Sequence, residues 1–253
     1  MNQFLNKLKA KWDEGKFVCV GLDQGDFESN QSVIDATFDL VCSYKPNAAF
    51  YSVSYAYKES ELDKTVSYIK DNHPDILIIL DAKLGDVSHT NEAYVKEIFD
   101  TLGVDAVTVN PYLGKEALQP FLDRADKGIL ILVKTSNPGA GEFQDLQISG
   151  KPLYQVVAEH VVSWNTNNNL AVVVGATYPE ELAIVRKIIG DMPILVPGIG
   201  EQGGNLEDIF KNGLNSQKQG LIINSSRGII FAPNPREVTQ ALHSKIQEIL
   251  AHV

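Results

Sequence analysis

Eight short apolar runs recur along the chain, and helix-length segments separate them. The runs are apolar almost throughout rather than alternating in polarity, which is typical of parallel strands covered on both faces. Eight β–α units in 253 residues predict one (β/α)8 TIM barrel domain spanning 1–253, and a doubly wound open sheet is the alternative. The predicted strands are Phe17–Leu22, Leu40–Lys45, Asp75–Asp81, Ala106–Asn110, Ile129–Lys134, Ala171–Gly175, Pro193–Pro197 and Gly220–Asn224.

Four segments carry further structural predictions. The run Leu40–Lys45 is also compatible with an extension of the preceding helix, so the second strand has an alternative. Asn91–Leu102 and Tyr178–Ile189 have the apolar spacing expected of amphipathic helices. Ser136–Gly150 is the longest irregular segment, and a long loop inside a compact domain is often a functional lid.

Composition and charge exclude several classes of protein. Hydrophobic residues make up 44% and charged residues 21% of the chain, which is typical of a globular domain rather than a disordered chain. The net charge of −10 argues against a nucleic-acid-binding surface, because phosphate backbones are contacted by clustered Lys and Arg. No apolar run approaches about 18 residues and the N-terminal stretch is unlike a signal peptide, so no membrane span is expected. Cys19 and Cys42 lie in strand-like runs, which favours buried thiols in a cytoplasmic protein.

Polar residues converge on the ends of the predicted strands, where TIM barrels have their active sites. The Gly-rich segment Pro197–Gly204 follows the seventh strand, and Ser226 and Arg227 follow the eighth. Loops at these two positions commonly bind phosphate through backbone N–H groups, and here Arg227 adds a cation and Gln202 a neutral donor. The sequence therefore predicts a phosphate site, with a merely flexible glycine loop as the alternative.

Charged residues cluster at the end of the third predicted strand. Asp81 and Lys83 are two residues apart, so on a regular strand their side chains point the same way. Asp86 follows just beyond, and Lys45 ends the neighbouring second strand. The four residues predict an alternating Lys–Asp–Lys–Asp network at the mouth of the barrel. A structural salt bridge that closes the top of the barrel is the alternative, because ion-pair networks are often structural.

This pattern resembles the catalytic tetrad of the orotidine 5′-phosphate decarboxylase family. The similarity lies in Asp81-x-Lys83-x-x-Asp86 together with Lys45, and it extends in order over nearly the whole chain. The Thr-Ser-Asn-Pro-Gly string at 135–139 and the Pro-Gly-x-Gly-x-Gln-Gly-Gly string at 197–204 resemble the longer bacterial form of the enzyme, sometimes called type 2.

The resemblance implies a reaction and the residues that carry it. The family converts orotidine 5′-monophosphate to UMP and carbon dioxide in de novo pyrimidine biosynthesis, with no cofactor and no metal. It implies that Lys83 stabilises and protonates the carbanion at C6, that Asp81 lies near the substrate carboxylate, and that Lys45 holds the array in place. It also implies a homodimer in which Asp86 and Thr90 come from the partner subunit. The residues expected to bind the nucleotide substrate are Asp23, Thr90, Ser136, Pro197, Gly198, Gly200, Gln202, Ser226 and Arg227.

Two other functions are compatible with the same barrel. A metal-dependent sugar-phosphate lyase or decarboxylase of this superfamily also carries the D-x-K-x-x-D element, although the string at 135–139 and Gln202 favour the cofactor-free decarboxylase. A non-catalytic nucleotide-binding barrel is the other alternative, but a pure binder would not need Lys83. Leu84 and Gln24 depart from the type 2 form, where Arg and Pro are usual, and neither belongs to the tetrad. The five histidines share no metal-ligand spacing, so no metal site is predicted.

Overall fold

A computed structural model describes residues 2–51, 60–199 and 204–252, and in it eight parallel strands close into a barrel. Each strand pairs with the next one along the chain, and the last pairs with the first. The predicted (β/α)8 barrel is therefore confirmed, and the open sheet is excluded because the sheet has no edge. The strands are β1 Val18–Leu22, β2 Val41–Pro46, β3 Leu77–Leu84, β4 Ala106–Val109, β5 Gly128–Lys134, β6 Leu170–Val174, β7 Ile194–Pro197 and β8 Leu221–Ser225.

Helices follow the strands and cover the outside of the barrel. No helix in the described part of the chain is both long enough and apolar enough to cross a membrane. The α-helices are Gln3–Asp13, Phe27–Thr37, Ala48–Tyr51, Glu61–Asn72, Ser88–Val95, Gly114–Leu122, Gly141–Gln144, Leu153–Trp164, Pro179–Ile189, Leu206–Gly213, Arg227–Ile230 and Pro235–Leu250, and short 3₁₀ turns occupy Pro111–Leu113 and Pro138–Ala140.

Three of the sequence predictions are refined by the structure. The doubtful second strand is a strand, because Val41–Pro46 pairs with both β1 and β3. The predicted helix Asn91–Leu102 is helical, but its second half, Lys96–Leu102, is a π-helix. The prediction that Ser136–Gly150 is irregular is wrong, because the segment contains two short helical turns and one strand of a hairpin.

The N-terminal helix packs across the amino ends of the strands. The Phe4 ring lies so close to Gly128, at the start of β5, that a Cβ there would lie 2.6 Å from the ring. Trp12 donates a hydrogen bond of 2.8 Å from Nε1 to the carbonyl of Leu221, at the start of β8. With this end of the barrel covered, the carboxyl ends of the strands form its accessible mouth.

A buried arginine ties one helix to the amino ends of two strands. The guanidinium of Arg186, in Pro179–Ile189, donates hydrogen bonds of 2.6 to 3.1 Å to four carbonyls, those of Gly190, Met192, Gly213 and Gly220. Burial lowers the pKa of Arg186 to about 10, which still leaves it charged at neutral pH. The charge is therefore balanced by carbonyl dipoles, with Asp191 as a nearby carboxylate.

We expect Arg186→Met to destabilise the fold by about 3 kcal/mol, because four carbonyls lose a charged donor inside the protein. Urea unfolding, monitored by circular dichroism, measures the loss in free energy of unfolding. The matched control is Arg236→Met, which removes an exposed arginine paired with Asp39 on the surface. A loss for Arg186→Met no larger than that of the control would contradict the structural role given to Arg186.

Candidate active site

The carboxylate of Asp81, near the end of β3, binds two lysine side chains. Its Oδ2 accepts a hydrogen bond of 2.7 Å from Nζ of Lys45, at the end of β2. Its Oδ1 accepts one of 2.6 Å from Nζ of Lys83. Lys45 and Asp81 are buried, whereas half of the Lys83 side chain is exposed. One ammonium group is therefore held inside the barrel, and the other remains accessible at its mouth.

A bulge in β3 brings Lys83 to this position. The register between β3 and β4 shifts between Leu80 and Leu84, so that the segment Asp81–Lys83 opposes Thr108 alone. Lys83 has a left-handed backbone with φ of 48°, which is uncommon for a residue other than glycine. The two side chains meet, but not by the regular strand alternation that their spacing implies. The contact depends on an irregular backbone of the kind that concentrates at functional sites.

Neighbouring charges shift the pKa values of Asp81 and Lys45. Burial by itself would raise the pKa of the Asp81 carboxyl, but the ammonium groups of Lys45 and Lys83 hold it well below its usual range. Burial would likewise lower the pKa of Lys45, but the Asp81 carboxylate more than offsets this and the pKa is raised. Asp81 and Lys45 are therefore both charged throughout the neutral range.

Asp86 lies outside this network within the chain. Its Oδ1 accepts a hydrogen bond of 2.7 Å from the backbone N–H of Val87, and among the described residues it forms no ion pair. The buried Asn91 fixes the turn, because its side chain bonds both the N–H and the carbonyl of Asp86. Thr90 lies next to Asn91 in the helix Ser88–Val95, and its backbone N–H donates a hydrogen bond to the carbonyl of Val87. The predicted four-charge network is thus a three-charge network inside one chain.

A cavity of about 140 Å³ lies where β1, β7 and β8 end. Gly198 in its wall has φ of 102°, a conformation that favours glycine. Gly200 and Gln202, which belong to the predicted phosphate site, lie outside the described residues. The cavity is lined by Asp23, Pro197, Gly198, Ile199, Asn224, Ser226, Arg227 and Gly228.

The two carboxylate oxygens of Asp23 differ in their hydrogen bonding within the described part of the chain. Oδ2 accepts a hydrogen bond of 2.6 Å from Oγ of Ser226. Oδ1 is buried and has no hydrogen-bond partner in the described part of the chain. Leaving such an atom unpaired costs free energy, so Asp23 is suited to accept a hydrogen bond from a ligand hydroxyl.

Ser136 lies in the segment after β5. Side chains further along this segment bond Lys134 and Thr135, the two residues that precede Ser136. Gln144 accepts a hydrogen bond of 2.9 Å from the backbone N–H of Thr135 and donates one of 2.8 Å to its hydroxyl. Lys134, which is fully buried at the end of β5, donates a hydrogen bond of 2.5 Å to Oδ1 of Asp145. The position of Ser136 is therefore set by contacts on both sides of it in the sequence.

Sequence reasoning did not single out Thr108, Asn91 or Gln144. Thr108 carried a signal, because it is the one polar residue in the otherwise apolar strand Ala106–Val109. Asn91 and Gln144 carried none, because their partners are set by turns whose geometry the spacing does not show. Within 2–51, 60–199 and 204–252, no three His, Cys, Asp or Glu side chains are grouped so that they could hold a metal ion.

The chain is similar in sequence to proteins of one known family. A family model described as orotidine 5′-phosphate decarboxylase / HUMPS family matches residues 16–242. A protein of Cellvibrio japonicus named orotidine 5′-phosphate decarboxylase is 43% identical, and the match covers 94% of this chain and 93% of that protein.

Two solved structures are similar to this chain over nearly its whole length. The structure of Leishmania donovani OMP decarboxylase superposes with a TM-score of 0.91 at 35% identity, over 98% of this chain and 99% of that one. The structure of Leishmania donovani UMP synthase superposes with a TM-score of 0.94 at 36% identity, over 99% of this chain. The match covers 57% of the UMP synthase chain, so this chain is similar to a part of it.

We expect Asp81→Asn to give the protein a stability that rises with pH from neutral to alkaline conditions. In the wild type the pKa of Asp81 is lowered and that of Lys45 is raised, so their contribution is lost only below about pH 4 or above about pH 10. In the variant, burial of Lys45 remains while the neighbouring carboxylate charge is gone. The pKa of Lys45 then falls below its unfolded value, and the folded state binds fewer protons than the unfolded state.

Urea unfolding at about pH 7 and about pH 9 measures this dependence. The difference in free energy of unfolding between Asp81→Asn and the wild type should shrink as the pH rises. Asp39→Asn is the matched control, because its partner Arg236 lies on the surface and stays charged over this range. Parallel pH profiles for Asp81→Asn and the wild type would show that Lys45 is not held charged by Asp81.

Proposed function

The chain belongs to the orotidine 5′-phosphate decarboxylase / HUMPS family, and from that premise we propose that it is a carboxy-lyase that converts orotidine 5′-monophosphate to UMP and carbon dioxide. Relatives that are 41–44% identical over at least nine-tenths of this chain carry the name of that enzyme. The observation in the structure that supports the reaction best is the accessible ammonium of Lys83, bound to the buried carboxylate of Asp81.

Lys83 supplies both the charge and the proton that decarboxylation needs. When the C6–carboxylate bond breaks, carbon dioxide leaves and the bonding electron pair stays on C6 of the pyrimidine. The ammonium of Lys83 stabilises that negative charge and then transfers a proton to C6, which gives UMP. Solvent returns the proton to Lys83, whose half-exposed side chain is accessible to it.

Asp81 acts on the substrate carboxylate as well as on the lysines. Two unit charges about 4 Å apart interact by about 4 kcal/mol at an effective dielectric constant of about 20. Repulsion between Asp81 and the carboxylate of the bound substrate is relieved as carbon dioxide departs, and an interaction of that size corresponds to about three decades in rate. Lys45 keeps Asp81 charged and in place at 2.7 Å.

The cavity beside the charge cluster receives the rest of the nucleotide. Asp23, together with Lys45, binds ribose hydroxyls, and the unpaired Oδ1 of Asp23 supports that role. Ser136 bonds the pyrimidine ring. The phosphate is bound by Arg227 and by the residues Pro197, Gly198, Gly200, Gln202 and Ser226. Such phosphate contacts are remote from C6, and they favour the reaction by holding the nucleotide in its reactive orientation.

We propose a homodimer in which Asp86 and Thr90 of each chain complete the site of the other. Asp86 forms no ion pair among the described residues of its own chain. Two exposed apolar side chains follow the neighbouring strands β3 and β4: Val87 comes directly after Asp86, and Tyr112 lies in the turn after β4, where it is 81% exposed. Exposed apolar side chains of this kind are enriched at protein interfaces, which supports the proposed dimer.

The whole chain, 1–253, acts in this proposal as one catalytic domain in the cytoplasm. The free cysteines Cys19 and Cys42 are both buried, and burial raises the pKa of the Cys19 thiol to about 11. Neutral, unpaired thiols in the core are common in proteins of reducing compartments.

The test of the proposed function is the loss of the orotate-ring absorbance when the purified protein meets orotidine 5′-monophosphate in the presence of EDTA. We expect turnover to continue under chelation, whereas a metal-dependent sugar-phosphate lyase would leave this substrate unchanged. Tight binding of UMP without turnover would favour a non-catalytic nucleotide-binding barrel instead.

Lys83→Ala should abolish decarboxylation and leave the binding of UMP measurable, because the variant removes the proton donor but not the phosphate contacts. Isothermal titration with UMP and the absorbance assay separate the two effects. Wild-type turnover in Lys83→Ala would remove the lysine from the mechanism.

Mixing two inactive variants tests the shared site. In a heterodimer of Lys83→Ala and Asp86→Ala chains, the first chain donates an intact Asp86 to a partner that still has Lys83. One of its two sites is then wild type, and the other lacks both groups. Random exchange makes about half of the dimers mixed, so about a quarter of all sites should recover.

The mixture is unfolded and refolded together and then assayed for decarboxylation. Each variant refolded alone must stay inactive, and the wild type must refold in good yield. If Asp86 served its own chain, every site would remain damaged and mixing would restore no activity.

A further inference from the structure

We propose that Thr108 is a positioning residue that sets the geometry of Asp81 and Lys83 for proton transfer. Its hydroxyl bonds the Asp81 carboxylate and the backbone N–H groups of Ala82 and Lys83, and Thr108 is not among the residues expected to bind the substrate. The kinetic part of this inference rests on the proposed function, and the structural part does not.

The Thr108 hydroxyl is fully engaged in hydrogen bonds. It donates one of 2.9 Å to Oδ1 of Asp81. It accepts two of 3.0 Å, from the backbone N–H groups of Ala82 and Lys83. A hydroxyl offers one donor and two acceptor sites, so all three are used. Thr108 is 1% exposed, which leaves water little access to replace it.

These hydrogen bonds stabilise the irregular backbone of the bulge in β3. The extra residues of β3 interrupt the ladder with β4, because the segment Asp81–Lys83 faces Thr108 alone. The left-handed backbone of Lys83 costs free energy and persists only where its surroundings over-determine it. Thr108 supplies that constraint, since its hydroxyl oxygen accepts hydrogen bonds from the backbone N–H groups on both sides of Ala82.

The same hydroxyl orients the carboxylate that holds the proton donor. Oδ1 of Asp81 receives hydrogen bonds from both Thr108 and Nζ of Lys83. Thr108 therefore fixes the backbone from which the Lys83 side chain starts and the oxygen at which its ammonium is held. Small displacements of such a group are costly to the rate, because the reacting atoms must be aligned.

Thr108→Val and Thr108→Ser separate the hydroxyl from the shape of the side chain. Thr108→Val keeps the volume and removes the bonds, and we expect kcat for orotidine 5′-monophosphate to fall about 10- to 100-fold. The KM and the binding of UMP should change by less than about threefold, because the phosphate and ribose contacts remain. Thr108→Ser keeps the hydroxyl and should stay within about threefold of the wild-type kcat.

The matched control is Thr239→Val, in the C-terminal helix. Thr239 is equally buried, and its hydroxyl donates a single bond of 2.8 Å to the carbonyl of Pro235. This variant should lose stability without losing kcat. If Thr108→Val does not fold, Thr108→Ala and Thr108→Ser replace it as a pair, because they differ by the hydroxyl alone.

Backbone amide exchange tests the structural part without reference to any reaction. The amide protons of Ala82 and Lys83 should exchange with solvent deuterium at least about tenfold faster in Thr108→Val, or in Thr108→Ala, than in the wild type. If the wild type did not decarboxylate the substrate, the proposed function would fail while this measurement still decided the role of Thr108.

Either a structural or a kinetic result would overturn the inference. One is unchanged amide exchange at Ala82 and Lys83 in the variant without a hydroxyl. The other, in an active wild type, is a kcat of Thr108→Val within about twofold of the wild type, or equal losses in Thr108→Ser and in the variant without a hydroxyl.

Discussion

A single carboxylate at the end of the third barrel strand holds the charge cluster together. Asp81 is buried and can remain ionised only because Lys45 and Lys83 each donate to one of its oxygens. Lys45 in turn remains protonated inside the barrel chiefly because the Asp81 carboxylate raises its pKa. Removing Asp81 would leave the buried Lys45 without its carboxylate partner, which is far more costly inside a protein than on its surface.

The two ends of the barrel differ: the amino ends of the strands are covered, and the charge cluster lies at their carboxyl ends. The N-terminal helix packs across the amino ends of the strands, with Phe4 against Gly128 and Trp12 bonded to β8. The opposite end carries polar side chains from the ends of several strands. Because the strands are parallel and closed, residues far apart in the sequence, such as Asp23 and Ser226, lie within hydrogen-bond distance.

Two parts of the mouth are suited to different parts of one anionic substrate. The Asp81 cluster combines a fixed negative charge with an accessible ammonium, which suits a reaction that removes a carboxylate and leaves a carbanion. The cavity of about 140 Å³ beside it carries Arg227 and the unpaired oxygen of Asp23, which suit a phosphate and a hydroxyl. In the proposed function, binding energy gathered at the phosphate would serve chemistry at the ring.

The sequence by itself determined the barrel and the identity of the charged residues, because apolar strands of a covered parallel sheet and polar strand ends are local patterns. It also pointed to Asp23, Ser226 and Arg227, since strand ends of a closed barrel converge. Only the tertiary structure decided how Lys83 reaches Asp81: a bulge and a left-handed backbone replace the regular alternation, and Thr108 on the next strand binds both amides. Such a contact is set by the register between strands distant in sequence, and no spacing within one strand encodes it.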